Sequence, residues 1–312
     1  MKSGLILFNK KPGITSFDAL RDIKRALGTG KVGHTGTLDK FASGLLAVLA
    51  GRALKLSRWF SHCDKKYLGR IRFGVETDTL DPEGKITAEA ALPSREEVES
   101  VLSLFTGEIL QEPPVFSAIH INGKRSSDLA RLGCAPQMKK RPVSVYKLEI
   151  LSWQPPLADI FVHCSSGTYI RSLTRDIALA AGSRAHLCGL ERTQVAGFCL
   201  NFDPAESQRR GERKEEWEEI KSNEFSLIPI DKTVISNLGM PWFEISAKEA
   251  ENIIHGKPLD PILKDKFLFS SAISARLCET SCKDQAAGLF CEEALIAVVE
   301  KDENNWRYGC VY

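Results

Sequence analysis

The sequence has no apolar run that approaches the roughly 20 residues of a membrane-spanning helix. It starts with a short strand-like run and shows no apolar region of the kind found in signal peptides. It also lacks a Cys-x-x-Cys pair, and its nine cysteines and six histidines are scattered along 312 residues. We therefore expect reduced thiols, a cytoplasmic location and no metal site.

Two common phosphate-binding loops are also excluded. Gly30-Lys31 is followed by Val32, so the Ser or Thr that binds magnesium in a P-loop is missing. The spacing of Gly30, Gly33 and Gly36 does not match the glycine pattern of a dinucleotide-binding fingerprint. The glycines of this region therefore need another explanation.

Charge is unevenly distributed along the chain. Residues 1–72 contain 15 Lys or Arg against 4 Asp or Glu, whereas the remaining residues contain 27 against 36. A second basic segment, residues 119–141, is predicted to be exposed. Such a basic surface favours a polyanionic partner, most simply a nucleic acid. Charged residues that only face solvent would give the same composition.

The segment 33–44 combines three glycines, three hydroxyl residues, one histidine and one carboxylate. Glycines allow close backbone approach, so the segment predicts a loop shaped around a ligand or around the chain itself. Asp39 is its only acid and has basic neighbours on both sides, which favour the ionised carboxylate. Asp39 is thus a candidate nucleophile or base, beside the commoner role of an aspartate that caps a helix or stabilises a turn.

Helix-like and strand-like patterns are interspersed without a regular strand-helix-strand repeat, which is typical of an α+β fold. Thr15 or Ser16 is expected to cap a helix whose apolar stripe runs from Phe17 to Leu27. Strands are predicted at Gly4–Asn9, Leu45–Ala50, Lys66–Phe73, 143–153, 159–165, Leu187–Thr193, Val195–Phe198 and Ala294–Glu300, and further helices at Arg52–Phe60, Ser94–Phe105 and Ile170–Ala180. The mixed-charge residues 204–224 predict an exposed helix or a linker.

The chain contains, in order, Lys11-Pro12-Gly13, Gly33-His34-Thr35-Gly36-Thr37-Leu38-Asp39, Lys66-Tyr67, Pro114 with Ser117-Ala118, Ser166-Gly167-Thr168-Tyr169-Ile170-Arg171-Ser172-Leu173 and Leu190-Glu191-Arg192-Thr193. Together these segments resemble the bacterial tRNA pseudouridine synthase B family over about residues 4–200. The resemblance implies a mixed, largely antiparallel central sheet flanked by helices. It implies a catalytic domain at 1–238, with residues 119–141 contacting RNA, and a small β-rich, PUA-like RNA-binding domain resembling a β-barrel at 239–312.

The implied activity is isomerisation of the uridine called 55 in the T-loop of tRNA, by base flipping and without a metal or organic cofactor. The expected partner is the T-arm of tRNA, and we expect a monomer that needs no partner protein. The resemblance implies that Asp39 is the essential catalytic residue, that Arg171 pairs with it, and that Tyr67 stacks on the target base and assists proton removal. It implies that His34 contacts the displaced RNA loop and that Leu190 lines the base pocket. Further RNA contacts are expected from Lys10, Lys11, Lys66 and Lys124.

Two departures from the family pattern stand out. Lys40-Phe41 replaces the usual Pro-Leu after the aspartate, and Ser126-Ser127 replaces an aromatic-containing stretch in the basic segment. Two other functions also fit the chain: a guide-RNA-dependent pseudouridine synthase, and an RNA-binding or RNA-folding protein without catalysis. In the last case, Asp39→Asn would have no effect.

Overall fold

The computed structural model describes residues 2–134, 136–200, 225–259, 263, 286–302 and 305–312, so the segment 204–224 lies outside the described residues. The strands are β1 (Gly4–Lys10), β2 (Val32–His34), β3 (Ser43–Ala50), β4 (Lys65–Phe73), β5 (Val75–Thr77), β6 (Ile86–Glu89), β7 (Gly107–Gln111), β8 (His120–Ile121), β9 (Lys124–Arg125), β10 (Arg141–Gln154), β11 (Leu157–Cys164), β12 (Ala185–Val195), β13 (Phe198–Cys199), β14 (Trp242–Glu244), β15 (Ala286–Cys291), β16 (Ala294–Asp302) and β17 (Asn305–Val311). The α-helices are α1 (Ser16–Leu27), α2 (Ser57–His62), α3 (Arg95–Val101), α4 (Ser126–Arg131), α5 (Ile170–Ala180), α6 (Lys232–Asn237) and α7 (Ala247–Ile254). No helix in the described part of the chain is long and apolar enough to cross a membrane.

The central sheet has the order β1-β3-β12-β4-β11-β10-β7, with β2 paired to β3 and β13 paired to β12. Among the described pairs of this sheet, β3 and β12 run parallel and the others antiparallel. The predicted α+β fold with a mixed, largely antiparallel sheet is confirmed.

Strand β3 is buried on both faces of the sheet. Leu46 and Val48 belong to a first core that includes apolar residues of α1, α3 and α5. Leu45 and Leu49 belong to a second core that includes residues of α2, α6, β15 and β16. Because alternate residues of a strand face opposite sides, a continuous apolar run is what a doubly covered strand requires. This burial fixes the strand that carries the glycine-rich loop.

Helix α1 begins at the predicted cap. The Thr15 hydroxyl accepts a hydrogen bond from the Asp18 amide (3.1 Å), and Asp18 accepts one from the Thr15 amide (3.3 Å), which forms a capping box. The predicted apolar stripe is wrong at Phe17, which is 71% exposed. The stripe is confirmed at Leu20 and Ile23, which are buried together with Ser16 and Ala19.

Two other predicted elements differ in detail. Arg52–Phe60 is not one continuous α-helix, because a 3₁₀ helix at Gly51–Leu56 leads into α2. Val195–Phe198 is not a separate strand: it contains the tight connection between β12 and β13, where Ala196 has a φ of 50°. The basic segment 119–141 is mostly exposed in its described residues, as predicted, and includes β8, β9 and α4.

The C-terminal strands form a second sheet in the order β14-β15-β16-β17. Its residues help to build a third core with α7, and they also complete the second core. Arg58 on α2 contacts Glu300 at 2.6 Å, and the Lys55 Nζ donates to the Val311 carbonyl at 2.7 Å. The C-terminal sheet is thus packed directly against α2 and its neighbours.

Candidate active site

The loop that carries Asp39 connects β2 to β3 and is anchored on both sides of the carboxylate. Leu38 and Ala42 are buried, and the Asp39 carbonyl accepts a hydrogen bond from the Ala42 amide at 3.1 Å. The Ser16 hydroxyl accepts from the Leu38 amide (2.9 Å) and donates to the Leu38 carbonyl (3.1 Å). These contacts present a half-buried Asp39 side chain to a cavity of about 1040 Å³.

Arg171 meets Asp39 from the first turn of α5. Its Nη2 donates to Asp39 Oδ1 at 3.0 Å, and its Nε lies 2.9 Å from Oδ2. The start of α5 is fixed by Gln111, whose side-chain amide exchanges two hydrogen bonds with the backbone of Tyr169. A planar guanidinium contacting both carboxylate oxygens restricts the direction in which the carboxylate points.

Asp81 is a second carboxylate beside Arg171, and it was not among the residues predicted from the sequence. Its Oδ2 lies 3.4 Å from Arg171 Nη1, while its Oδ1 accepts hydrogen bonds from the Thr79 hydroxyl (2.6 Å) and the Glu83 amide (3.0 Å). Arg171 is almost fully buried and also donates to the Thr79 carbonyl at 2.8 Å. The acid-rich turn at 78–83 was the available signal, but the sequence alone does not show which acid faces an arginine.

The pKa of Asp39 lies above its usual value. Burial in the cavity is the largest cause, and the negative charge of Asp81 adds to it. The Arg171 charge acts in the opposite direction, followed by Lys10. The site therefore holds a carboxylate that is less well solvated than a surface aspartate and is stabilised chiefly by Arg171.

Tyr67 and Arg192 lie on neighbouring strands, β4 and β12, as direct cross-strand partners. Arg192 is buried and links β12 to β3 and to the loop, because its Nε donates to the Leu45 carbonyl (2.8 Å) and its Nη2 to the Gly36 carbonyl (3.0 Å). Burial raises the pKa of Tyr67 to about 12, with Arg192 acting in the opposite direction. The Tyr67 phenol therefore carries its proton at neutral pH.

The close approach of β3 to β12 depends on Gly44. Its φ is +98°, and a Cβ there would lie 2.4 Å from the Arg192 carbonyl oxygen. Any other residue would both strain the backbone and separate the two strands. Gly44 thus allows Arg192 to reach the loop from the adjacent strand.

His34 and Leu190 also line the cavity. The pKa of His34 is lowered by burial and then by the Arg192 charge, so the neutral imidazole is favoured. Its buried Nδ1 has no hydrogen-bond partner among the described residues. The structure thus brings Asp39, Tyr67, Arg171, His34 and Leu190 to one cavity, while their roles stay predictions.

The predicted lysine contacts are not gathered at this cavity. Lys10 is fully buried, and its Nζ donates to the carbonyls of Ile14 (2.7 Å) and Lys11 (3.1 Å). Burial lowers the Lys10 pKa to about 8, with the Asp39 charge acting in the opposite direction. The Lys10 ammonium is used inside the protein, so its surroundings give no support to an RNA contact, which stays a prediction. Lys66 lies on the face of β4 opposite to Tyr67, because successive residues of a strand alternate.

The remaining lysines have different positions. Lys11 and Lys124 are exposed and lie outside the set of residues that line the cavity. Lys65 does line the cavity, but its Nζ donates to the Ser61 carbonyl at 2.7 Å at the end of α2.

Among the described residues, no three His, Cys, Asp or Glu side chains are grouped to hold a metal ion.

Comparison with known proteins identifies the class to which this fold and site belong. Residues 24–170 match the model of the "TruB family pseudouridylate synthase (N terminal domain)". A solved Cbf5-Nop10-Gar1 complex contains a similar chain, with a TM-score of 0.63 and 21% identity over 97% of this chain and 80% of that one. At this identity, the likeness supports the fold alone.

Curated relatives narrow the class to one family. The tRNA pseudouridine synthase B of Treponema denticola is 34% identical over 99% of this chain and 98% of its own length. That of Borreliella burgdorferi is 46% identical over 64% of this chain and 72% of its own length. The chain belongs to the tRNA pseudouridine synthase B family.

Proposed function

We propose that this protein converts uridine 55 in the T-loop of tRNA to pseudouridine, with Asp39 as the essential catalytic residue. The observation that carries the proposal is the Asp39–Arg171 ion pair in a cavity that Tyr67 and Leu190 also line. Family membership supports the same reaction class. The reaction is an isomerisation: the bond from uracil N1 to the ribose breaks, a bond from C5 forms, a proton leaves C5 and N1 gains one.

Asp39 drives release of the uracil, and Arg171 keeps the carboxylate ionised and oriented while this happens. Arg171 is itself held by backbone carbonyls and Asp81, so it does not need to move when RNA binds. A positioned charge of this kind acts without reorganisation during the reaction. Asp81 is thus proposed as a positioning residue rather than a group that touches the substrate.

The target base must leave the RNA stack before Asp39 can reach its ribose. Tyr67 offers an aromatic ring at the cavity for the flipped base, Leu190 offers an apolar wall, and His34 faces the loop from which the base has left. The Tyr67 hydroxyl carries its own proton at neutral pH, so it is proposed to assist proton removal from C5 as a relay, passing its proton to solvent as it accepts the one from C5. Stacking on an aromatic side chain offsets part of the energy of unstacking the base.

RNA phosphates are proposed to contact Lys11 and Lys124, which are exposed outside the cavity. They are also proposed to contact Arg125 and Arg131, the two arginines of the basic segment that line the cavity. Residues 1–238 would supply catalysis and residues 239–312 further RNA binding. We propose that the protein acts in the cytoplasm as a monomer, without a guide RNA, a partner protein, a metal ion or an organic cofactor.

The test is nucleoside analysis of an unmodified tRNA transcript after incubation with the purified protein alone. Wild type should produce pseudouridine at position 55, and Asp39→Asn should produce none. Asp22→Asn is the matched control, because it removes an exposed carboxylate of α1 outside the cavity. If Asp39→Asn retains activity, the central role of Asp39 is refuted. If wild type binds the transcript but never modifies it, the reaction itself is refuted, and guide dependence or a binding function takes its place.

A further inference from the structure

Phe17 is the most exposed aromatic side chain among the described residues, at 71%. It lies in the first turn of α1 and lines the same cavity as Asp39 and Tyr67. A large apolar ring that remains in water contributes little to the fold, because burial is what makes such a ring stabilising. Its position beside a reaction cavity indicates a ligand.

The backbone of Phe17 is held in a fixed position relative to Asp39. The preceding residue, Ser16, is buried and exchanges two hydrogen bonds with the backbone of Leu38, which directly precedes Asp39. The capping box at Thr15 fixes the start of the helix on the other side. The ring is therefore presented at the cavity by the same contacts that anchor the Asp39 loop.

Cations outnumber carboxylates around Phe17. Lys24 Nζ lies 5.7 Å from the centre of the ring, within the range of a cation–π contact. Arg21 and Arg25 follow on the exposed part of the same helix, where they pair with Asp18 and Asp22. Arg125 and Arg131 line the cavity. An aromatic face among cations is the pattern that binds unpaired nucleotides, with the base on the ring and the phosphates on the cations.

We propose that Phe17 is a stacking platform for an unpaired base of the substrate RNA that flanks the flipped uridine. This inference rests on the proposed function and adds a second base contact to that of Tyr67. Phe17 would determine how tightly the RNA loop is held, whereas Tyr67 would act on the reacting base. Phe17 itself takes no part in bond breaking.

The test compares Phe17→Ala, Phe17→Leu and Phe17→Trp in RNA binding and in turnover. Loss of one stacked base should raise the KM and the Kd by about fivefold to a hundredfold in Phe17→Ala, with a smaller change in kcat. Phe17→Leu should resemble Phe17→Ala because it is apolar but has no ring face, and Phe17→Trp should retain wild-type affinity. Leu104→Ala is the matched control, since Leu104 is 66% exposed and does not line the cavity.

Abasic substitutions at each nucleotide flanking the target identify the stacked base. Removal of that base should weaken wild type but have little further effect on Phe17→Ala, while removal of other bases should weaken both equally. Equal binding by all Phe17 variants, or additive effects at every position, would overturn the proposal. The Kd is also measured in an Asp39→Asn background, so the outcome at Phe17 is decided even if wild type makes no pseudouridine and the proposed function fails.

Discussion

Arg171 contacts both oxygens of Asp39 across 132 residues of sequence. The pair joins the loop before β3 to the first turn of α5, so two separate parts of the fold must be in place before the carboxylate is oriented. Arg171 is almost completely buried, while the Asp39 side chain is 35% exposed to the cavity. The arginine is therefore the fixed member of the pair, and the aspartate is the member available to a substrate.

Arg171→Lys should reduce kcat by about a hundredfold with little change in RNA affinity. Lysine keeps the positive charge but cannot contact two carboxylate oxygens and two carbonyls with one planar group, so Asp39 loses its orientation. Single-turnover kinetics at saturating RNA measures the effect. Arg175→Lys on the same helix is the control, because Arg175 pairs with Asp176 and not with Asp39. Equal losses in the two variants would contradict a specific role for the Asp39 contact.

Asp81→Asn should move the acid limb of the pH profile to lower pH. The Asp81 charge contributes to the raised pKa of Asp39, so its removal should lower that pKa, and the active carboxylate should persist in more acidic solution. The rate on the plateau should fall about tenfold, because Arg171 loses one of its supports. The measurement is kcat/KM from about pH 4, near the ordinary pKa of an aspartate, to about pH 8. An acid limb that moves upward would refute the electrostatic link.

Tyr67→Phe should retain RNA affinity and lose turnover. Phenylalanine keeps the stacking face, so the Kd should change by less than about threefold, whereas any step that needs the hydroxyl slows. Since burial raises the Tyr67 pKa to about 12, the wild-type rate should show no alkaline limb due to this group at neutral or mildly alkaline pH. Parallel binding and single-turnover assays separate the two effects. If Tyr67→Phe keeps the full kcat, the hydroxyl takes no part in the reaction and the role of Tyr67 is stacking alone.

Arg192→Met should destabilise the protein by about 1–3 kcal/mol, because the carbonyls of Leu45 and Gly36 lose their buried donors. Urea unfolding of the two proteins gives the difference. Arg184→Met is the control, since Arg184 is partly exposed and pairs with Glu76 at 3.3 Å, a contact expected to contribute less than about 1 kcal/mol. Similar losses in both variants would show that the buried contacts of Arg192 are not special.

Local patterns predicted most of the fold. The uninterrupted apolar run of β3 and the Thr15 cap are short-range signals whose physical meaning does not depend on distant residues. Asp81 was missed because its importance comes from Arg171, which is close only after folding. The buried setting of Lys10 could not be predicted for the same reason, since composition shows a cation but not the carbonyls that surround it. Phe17 fits a helical spacing, yet the structure leaves it in water.

The second core has a consequence for how the chain unfolds. Trp59 and Phe60 on α2 share this core with Phe290 and Val298 of the C-terminal sheet. Neither part can lose its structure without exposing apolar side chains of the other, and that exposure is unfavourable in water. Denaturant should therefore produce one cooperative transition in place of two. A protease that cuts the C-terminal sheet should also make the central sheet susceptible.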